Sequence, residues 1–443
     1  MTTTGIPHAR FVPRRRLRRA AAALLLLAAA ATCKRGSPPV PQPDVALAPL
    51  VLDVPAAKPA DGGTTPQATA EPPGPPEDPR EALTLRTYDV LLDGSIACRA
   101  TTAGVVIEEA AQPERPRRLS VVHLPGSVND VAWIGRVQPP RPATCPEAPG
   151  GPVCPIPPPV TLVAAAAGPA GVFLIDVTDP EHPSQVGTFD TAGAAMRLAP
   201  APPLLWVADG SGGVLALDLA DPARPKAVAG VSEPPAAPEP AGATDAPADT
   251  SLVDAPDDLP PAFYVRDVVP FGERLFVAAS FRGLLVYDVR AAPGGPSLEP
   301  RLTFDTPGDA RAVAVDGDRV WVADGPSGLQ VIDTALHRPD AAPAVVATYP
   351  TRDVCRDVKL DVNRDKTLFP PVAYLAVGDH GLEILDASDL SSLSVLGRHV
   401  PRRPVNRVTV GPNGLLLLAN DADGLMIVDA ADPTAIRQIF PAP

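Results

Sequence analysis

The sequence predicts an all-β protein: a seven-bladed β-propeller of four-stranded antiparallel blades, preceded by a signal peptide and a disordered proline-rich tether. Three observations carry this. First, a unit of glycine, four mostly apolar residues and an acid recurs as Gly104–Glu109, Gly171–Asp176, Gly213–Asp218, Gly283–Asp288, Gly328–Asp333, Gly381–Asp386 and Gly424–Asp429. Second, the closing acids lie 67, 42, 70, 45, 53 and 43 residues apart, a base period near 43 with insertions in the long steps. A period of about 40–45 residues holding four strands is that of a propeller blade. Third, short β-branched and apolar runs bounded by Gly, Asp and Pro fill the chain after residue 85, with no convincing helical periodicity among them.

The N-terminus reads as an export signal. Residues 1–32 hold six arginines and no acid, and Ala20–Ala31 is an uncharged apolar run. Twelve residues rise roughly 18 Å as a helix, short of a hydrocarbon layer of about 30 Å. The small residues before Cys33 resemble a bacterial lipoprotein signal, which implies lipidation of that cysteine. Arg14-Arg15-Arg16 also fits a twin-arginine signal. Residues 33–80 are mostly Pro, Ala, Gly and acid, too poor in apolar residues to offset chain entropy, and are expected to form a tether.

The propeller is expected over 81–443, with blades at about 86–126, 127–193, 194–232, 262–308, 309–351, 352–403 and 404–441 and a disordered insertion at about 233–261. The fifth unit shows the pattern: strand 311–315, turn Asp316-Gly317, strand 320–323, turn Asp324–Gly328, strand 329–332 closed by Asp333, then strand 344–349. A strand exchanged between the chain ends could close the ring through residues 81–86, or Ala435–Phe440 could complete the last blade alone.

Cys145 and Cys154 share one Pro/Gly-rich loop, which favours a local disulfide in an exported chain, whereas Cys98 and Cys355 read as separate buried thiols. The net charge of −13 disfavours nucleic acid as a partner.

The units Gly171–Pro180 and Gly424–Pro433, with Trp206–Gly210 and Thr188–Gly193, resemble the LVIVD repeat of bacterial surface and exported proteins. That resemblance implies a β-propeller at the cell envelope, an outer-membrane lipoprotein facing the periplasm or cell surface. It implies no shared catalytic chemistry. Repeat one and the three insertions depart from its pattern.

The repeated acids read as turn chemistry, each accepting backbone N–H groups after its strand. Trp206 and Trp321, which share a repeat position with Phe276, Tyr374 and Leu417, read as packing between blades. The residues leading each first strand are the candidate ligand site: Tyr88 and Asp89, Asn129 and Asp130, Arg197, Arg266 and Asp267, Arg311, Arg356 and Asp357, Asn406 and Arg407. At the start of innermost strands they would ring one end of the central channel, as a polar funnel or as an ion-pair network between blades. Residues 361–367 place oxygen ligands at alternate positions, but Lys366 stands where a calcium loop needs glycine, so a solvated insertion and no metal is expected. No short-spaced histidine pair, nucleophile elbow or phosphate loop is present, and no cofactor is implied. The expected role is a monomeric binding or scaffolding module for a protein or envelope polymer, joined to the membrane through its lipid alone. The alternatives are a lyase or hydrolase using the channel, and an adhesion protein.

Overall fold

The structure, a computed structural model, describes residues 85–140, 156–232, 263–338, 340–361 and 371–441. The signal, the tether, Cys33, the Cys145–Cys154 loop, the 233–261 insertion and the core of the 361–367 loop lie outside those residues.

The described chain forms seven four-stranded antiparallel sheets, each built from four consecutive strands. Blade one holds β1 (Thr87–Asp93) to β4 (Arg117–His123), and blade seven holds β25 (Arg407–Val410) to β28 (Arg437–Phe440). No strand is exchanged between the chain ends among the described residues; β28 pairs directly with β27 (Leu425–Asp429). The ring closes instead by an isolated bridge from Thr87 to Asp421, with the Thr87 N–H donating to the Asp421 carbonyl at 2.7 Å. Equivalent bridges tie neighbouring blades, Gly168 to Ala195, Gly210 to Val265, Ser280 to Ala310, Gly325 to Cys355 and Gly378 to Val405.

The third strands are largely buried because both of their faces are covered, and the polar side chains within them, Glu108, Gln330 and Glu383, are buried and hydrogen-bonded. In β19 (Leu329–Asp333) the first four residues are buried and Asp333 is half-buried. Apolar clusters fill the interfaces between neighbouring blades: Val105, Ile107, Val131 and Phe173 between blades one and two, and Val90, Leu417, Leu425 and Ile427 between seven and one. The outermost strands lose one covered face, and β20 (Ala344–Tyr349) is mostly exposed. Trp206, Trp321, Phe276, Tyr374 and Leu417 are all buried within these layers.

The repeated glycine precedes the third strand with a positive φ. Gly328 has φ +76°, and a Cβ there would stand 2.4 Å from the Tyr349 carbonyl oxygen, so the turn requires glycine. The acid closing the strand caps the next turn. Asp176, Asp218, Asp333, Asp386 and Asp429 each accept the backbone N–H two residues on, at 2.8 to 3.0 Å. Asp288 differs because β15 (Leu284–Arg290) runs on past it, and its carboxylate pairs with Arg274 and Arg290. Cys98 and Cys355 are free and buried, and burial pushes the Cys98 thiol up to about 12.

Candidate functional site

The residues leading the innermost strands separate into two tiers, because successive residues of a strand point to opposite faces. Asp89, Asp130, Arg197, Asp267, Asp357 and Arg407, with Ala312 in blade five, form the inner tier. Each is paired across its hairpin with an alanine on the second strand: Ala100, Ala166, Ala208, Ala278, Ala323, Ala376 and Ala419. Directly opposed residues share a face. The small methyl beside each inner-tier side chain leaves it room to reach the adjoining blade.

The inner-tier aspartates use that room in one way. Asp89 accepts the Val131 N–H at 3.2 Å, Asp130 that of Leu198 at 2.8 Å, Asp267 that of Val313 at 2.9 Å and Asp357 that of Val408 at 3.1 Å. Each acceptor belongs to one blade and each donor to the next. The arginines then bridge the axis. Arg197 donates from Nη1 to Asp267 at 3.0 Å and from Nη2 to Asp357, three blades away, at 2.9 Å. Arg407 bonds Asp130 and lies 3.8 Å from Asp89, and Lys359 lies 3.8 Å from Asp357.

Four carboxylates face three cations in this network. Burial, reinforced by Asp89 and opposed by Arg407, pushes the Asp130 carboxyl up to about 8. A proton held there levels the charge. Asp357 moves the other way: burial would raise it, but Lys359, Arg197, Arg407 and the Val408 N–H together hold it below the usual carboxylate range. On the far side of the network, toward the C-terminal ends of the innermost strands, lies a cavity of about 370 Å³. Its walls include Leu91, Trp133, Pro200, Pro270, Lys359 and Thr409.

The second tier, one residue earlier, faces the end where the innermost strands begin. Tyr88 is half-buried there. Asn129 donates to the Ala195 carbonyl at 3.1 Å, and Asn406 to that of Thr87 at 3.0 Å. Arg266 donates to Asp309 at 2.9 Å and lies over the Tyr264 ring at 5.3 Å; Arg311 contacts the same Asp309 at 2.8 Å. Arg356 donates to the Asn406 side-chain oxygen at 2.7 Å. Burial, with Arg266 and Arg356 nearby, lowers the Arg311 pKa against the pull of Asp309. Asp309 and Lys359 escape a reading confined to the leading pairs. The alanine recurring at the end of each second strand was a usable signal for the tiers.

Among the described residues, no cluster of three or more His, Cys, Asp or Glu forms a metal site, and no helix is long and apolar enough to cross a membrane.

The family description for the LVIVD repeat matches residues 307–335 and 372–399, which are parts of blades five and six. The chain carries LVIVD repeats. Two solved structures of low sequence identity align with much of the chain. The computationally designed Ika8 protein aligns over 80% of this chain and 87% of its own at 8% identity and a TM-score of 0.49. The WD40 β-propeller domain of Doa1 aligns over 77% of this chain and 95% of its own at 13% identity and a TM-score of 0.49. No curated protein matches the chain in sequence.

Proposed function

We propose that this LVIVD-repeat propeller is an exported, lipid-anchored binding and scaffolding module. Its partner, a protein or a cell-envelope polymer, docks on the face where the innermost strands begin. The supporting observation is the contrast in how the two tiers spend their polar groups. The carboxylates of the inner tier are committed to hydrogen bonds between blades, which favours a structural role for them over acid–base catalysis. The second tier keeps guanidinium groups that are 21% and 32% exposed, those of Arg266 and Arg311. The basic segment before Cys33 supports export and anchoring, and a lipidated anchor with a long tether would let the propeller search the space around it.

Crosslinking in intact cells followed by co-purification from envelope fractions tests this. A specific partner should be recovered with the parent chain and lost with the Arg266→Ala, Arg356→Ala double variant while melting is preserved. Retention of the same partner by that variant would defeat the assignment of the face. Cys33→Ser should release the chain from membranes, and continued membrane association would defeat the lipid anchor.

A further inference from the structure

We propose that the arginines of blades four to six dock an acidic peptide, a carboxylate of a polypeptide partner seating between Arg311 and Arg356 with an aromatic contact from Phe281. This rests on the binding reading above and supplies the chemistry of the ligand.

Among the residues of the second tier the positive charge is confined to one arc. At the same repeat position the other blades carry Tyr88, Asn129, Met196 and Asn406, all uncharged, whereas three successive blades carry Arg266, Arg311 and Arg356. Among the described residues, the carboxylate within 4 Å of these arginines is that of Asp309, which is 4% exposed. It is fully engaged. Its Oδ1 accepts from Arg266 at 2.9 Å and Ser280 at 2.7 Å, and its Oδ2 lies 2.8 Å from Arg311 Nη2. Asp353, three residues before Arg356, gives its two oxygens to the Val354 N–H at 2.7 Å and the Asp379 N–H at 2.8 Å. Arg356 is left with a neutral amide oxygen as its bonded partner.

Arg311 and Arg356 are posed alike. The Nε of each is buried without a hydrogen-bond partner, packed against the glycine of its own blade's second turn. A Cβ on Gly325 would stand 3.3 Å from Arg311 Nε, and one on Gly378 would stand 3.4 Å from Arg356 Nε. With Nε covered, the Arg311 side chain is still 32% exposed. Two guanidinium groups on neighbouring blades, held from behind, each use one Nη on a protein acceptor, Asp309 for Arg311 and Asn406 for Arg356, and among the described residues the other Nη of each has no hydrogen-bond acceptor. A carboxylate accepts such donors in pairs, with matched geometry. It would also relieve the repulsion among three neighbouring cations, two of which share one buried acid. In a chain of net charge −13, an acidic ligand gains little from the bulk of the surface, so recognition would be local to this arc.

Phe281 points to a polypeptide. It sits beside Ser280, which bonds Asp309, and it is 50% exposed. The corresponding turn position elsewhere holds Pro169, Ser211, Pro326, Asp379 or Ala422. An exposed aromatic next to arginine is the composition that anchors protein interfaces.

Fluorescence anisotropy with a labelled peptide of six glutamates and one phenylalanine, at fixed salt, tests the proposal on the purified protein. The parent should bind it, and a peptide with glutamine in place of each glutamate should not. Arg311→Gln and Arg356→Gln should each weaken binding by about tenfold or more, and Phe281→Ala by about fivefold. Should Arg311→Gln fail to fold, Arg311→Lys keeps the charge, loses the fork, and should still bind more weakly than the parent. Equal binding of the glutamine peptide, or binding unaltered in both arginine variants, would overturn the proposal. So would full displacement by equimolar inorganic phosphate, which would mark a simple anion site. If the glutamate peptide fails to bind while the cellular partner is still lost from the Arg266→Ala, Arg356→Ala variant, the docking face stands and the acidic-peptide assignment falls.

Discussion

The two tiers of the channel differ by one residue in sequence and by a great deal in energetics. Arg197 and Arg356 occupy neighbouring strand positions in different blades. Arg197 is 6% exposed and spans the axis to two buried carboxylates. Arg356 is half-buried and meets an amide. The comparison teaches that burial, and not charge type, decides whether an arginine in this repeat holds the ring together or is free to serve a ligand. A buried ion pair that loses one partner leaves the other charge uncompensated, whereas an exposed one gives up little.

The largest break in the comparison should come from Arg197→Met. It strands Asp267 and Asp357 in the interior, so urea denaturation should show a loss of about 3–5 kcal/mol. A loss below about 1 kcal/mol would place the strength of the ring elsewhere.

A pH-dependent effect of intermediate size belongs to Asp130. Its folded pKa, about 8, lies above the ordinary carboxylate value of about 3.9. Between those values the folded state keeps a proton that the unfolded state has released, so this group's contribution to stability falls as pH rises from about 4 to about 8. Asp130→Asn removes that slope. The variant should therefore gain on the parent as pH rises through this window, and a constant difference would show that Asp130 is ionised throughout. Asp357, held below its ordinary range, has the opposite sign: its contribution is present above about 3.9 and is lost as pH falls through its lowered pKa.

The smallest stability effect should be that of Arg356→Ala, within about 1 kcal/mol of the parent by thermal or urea unfolding, because no carboxylate lies within 4 Å of it among the described residues. A loss comparable to that of Arg197→Met would erase the distinction between the tiers.

Much of the fold was legible because repetition amplifies weak local signals. One copy of Gly328–Asp333 is a strand and a turn; seven copies at a period near 43 are a ring. The candidate residues were legible as a set for the same reason, since each precedes an innermost strand. Their division was not. Asp267 and Arg266 are adjacent, and which of them turns to the buried side depends on where the strand begins relative to its hairpin partner Ala278. Asp309 stands outside the leading pairs, and the fourth blade's distinctive Phe281 lies in a turn that the repeat otherwise fills with small or polar residues.

By itself the sequence determined the strand pattern, the number of blades and the glycine and aspartate turns, because these follow from contacts within about 45 residues and from backbone sterics. The tertiary structure decided that Arg197 meets Asp357 across 160 residues, that Asp130 shares its surroundings with Asp89 and Arg407, and that Arg311 and Arg356 come close enough to repel each other. Closure of the ring brings those residues together. A local sequence pattern carries no information about which blades face each other across the axis.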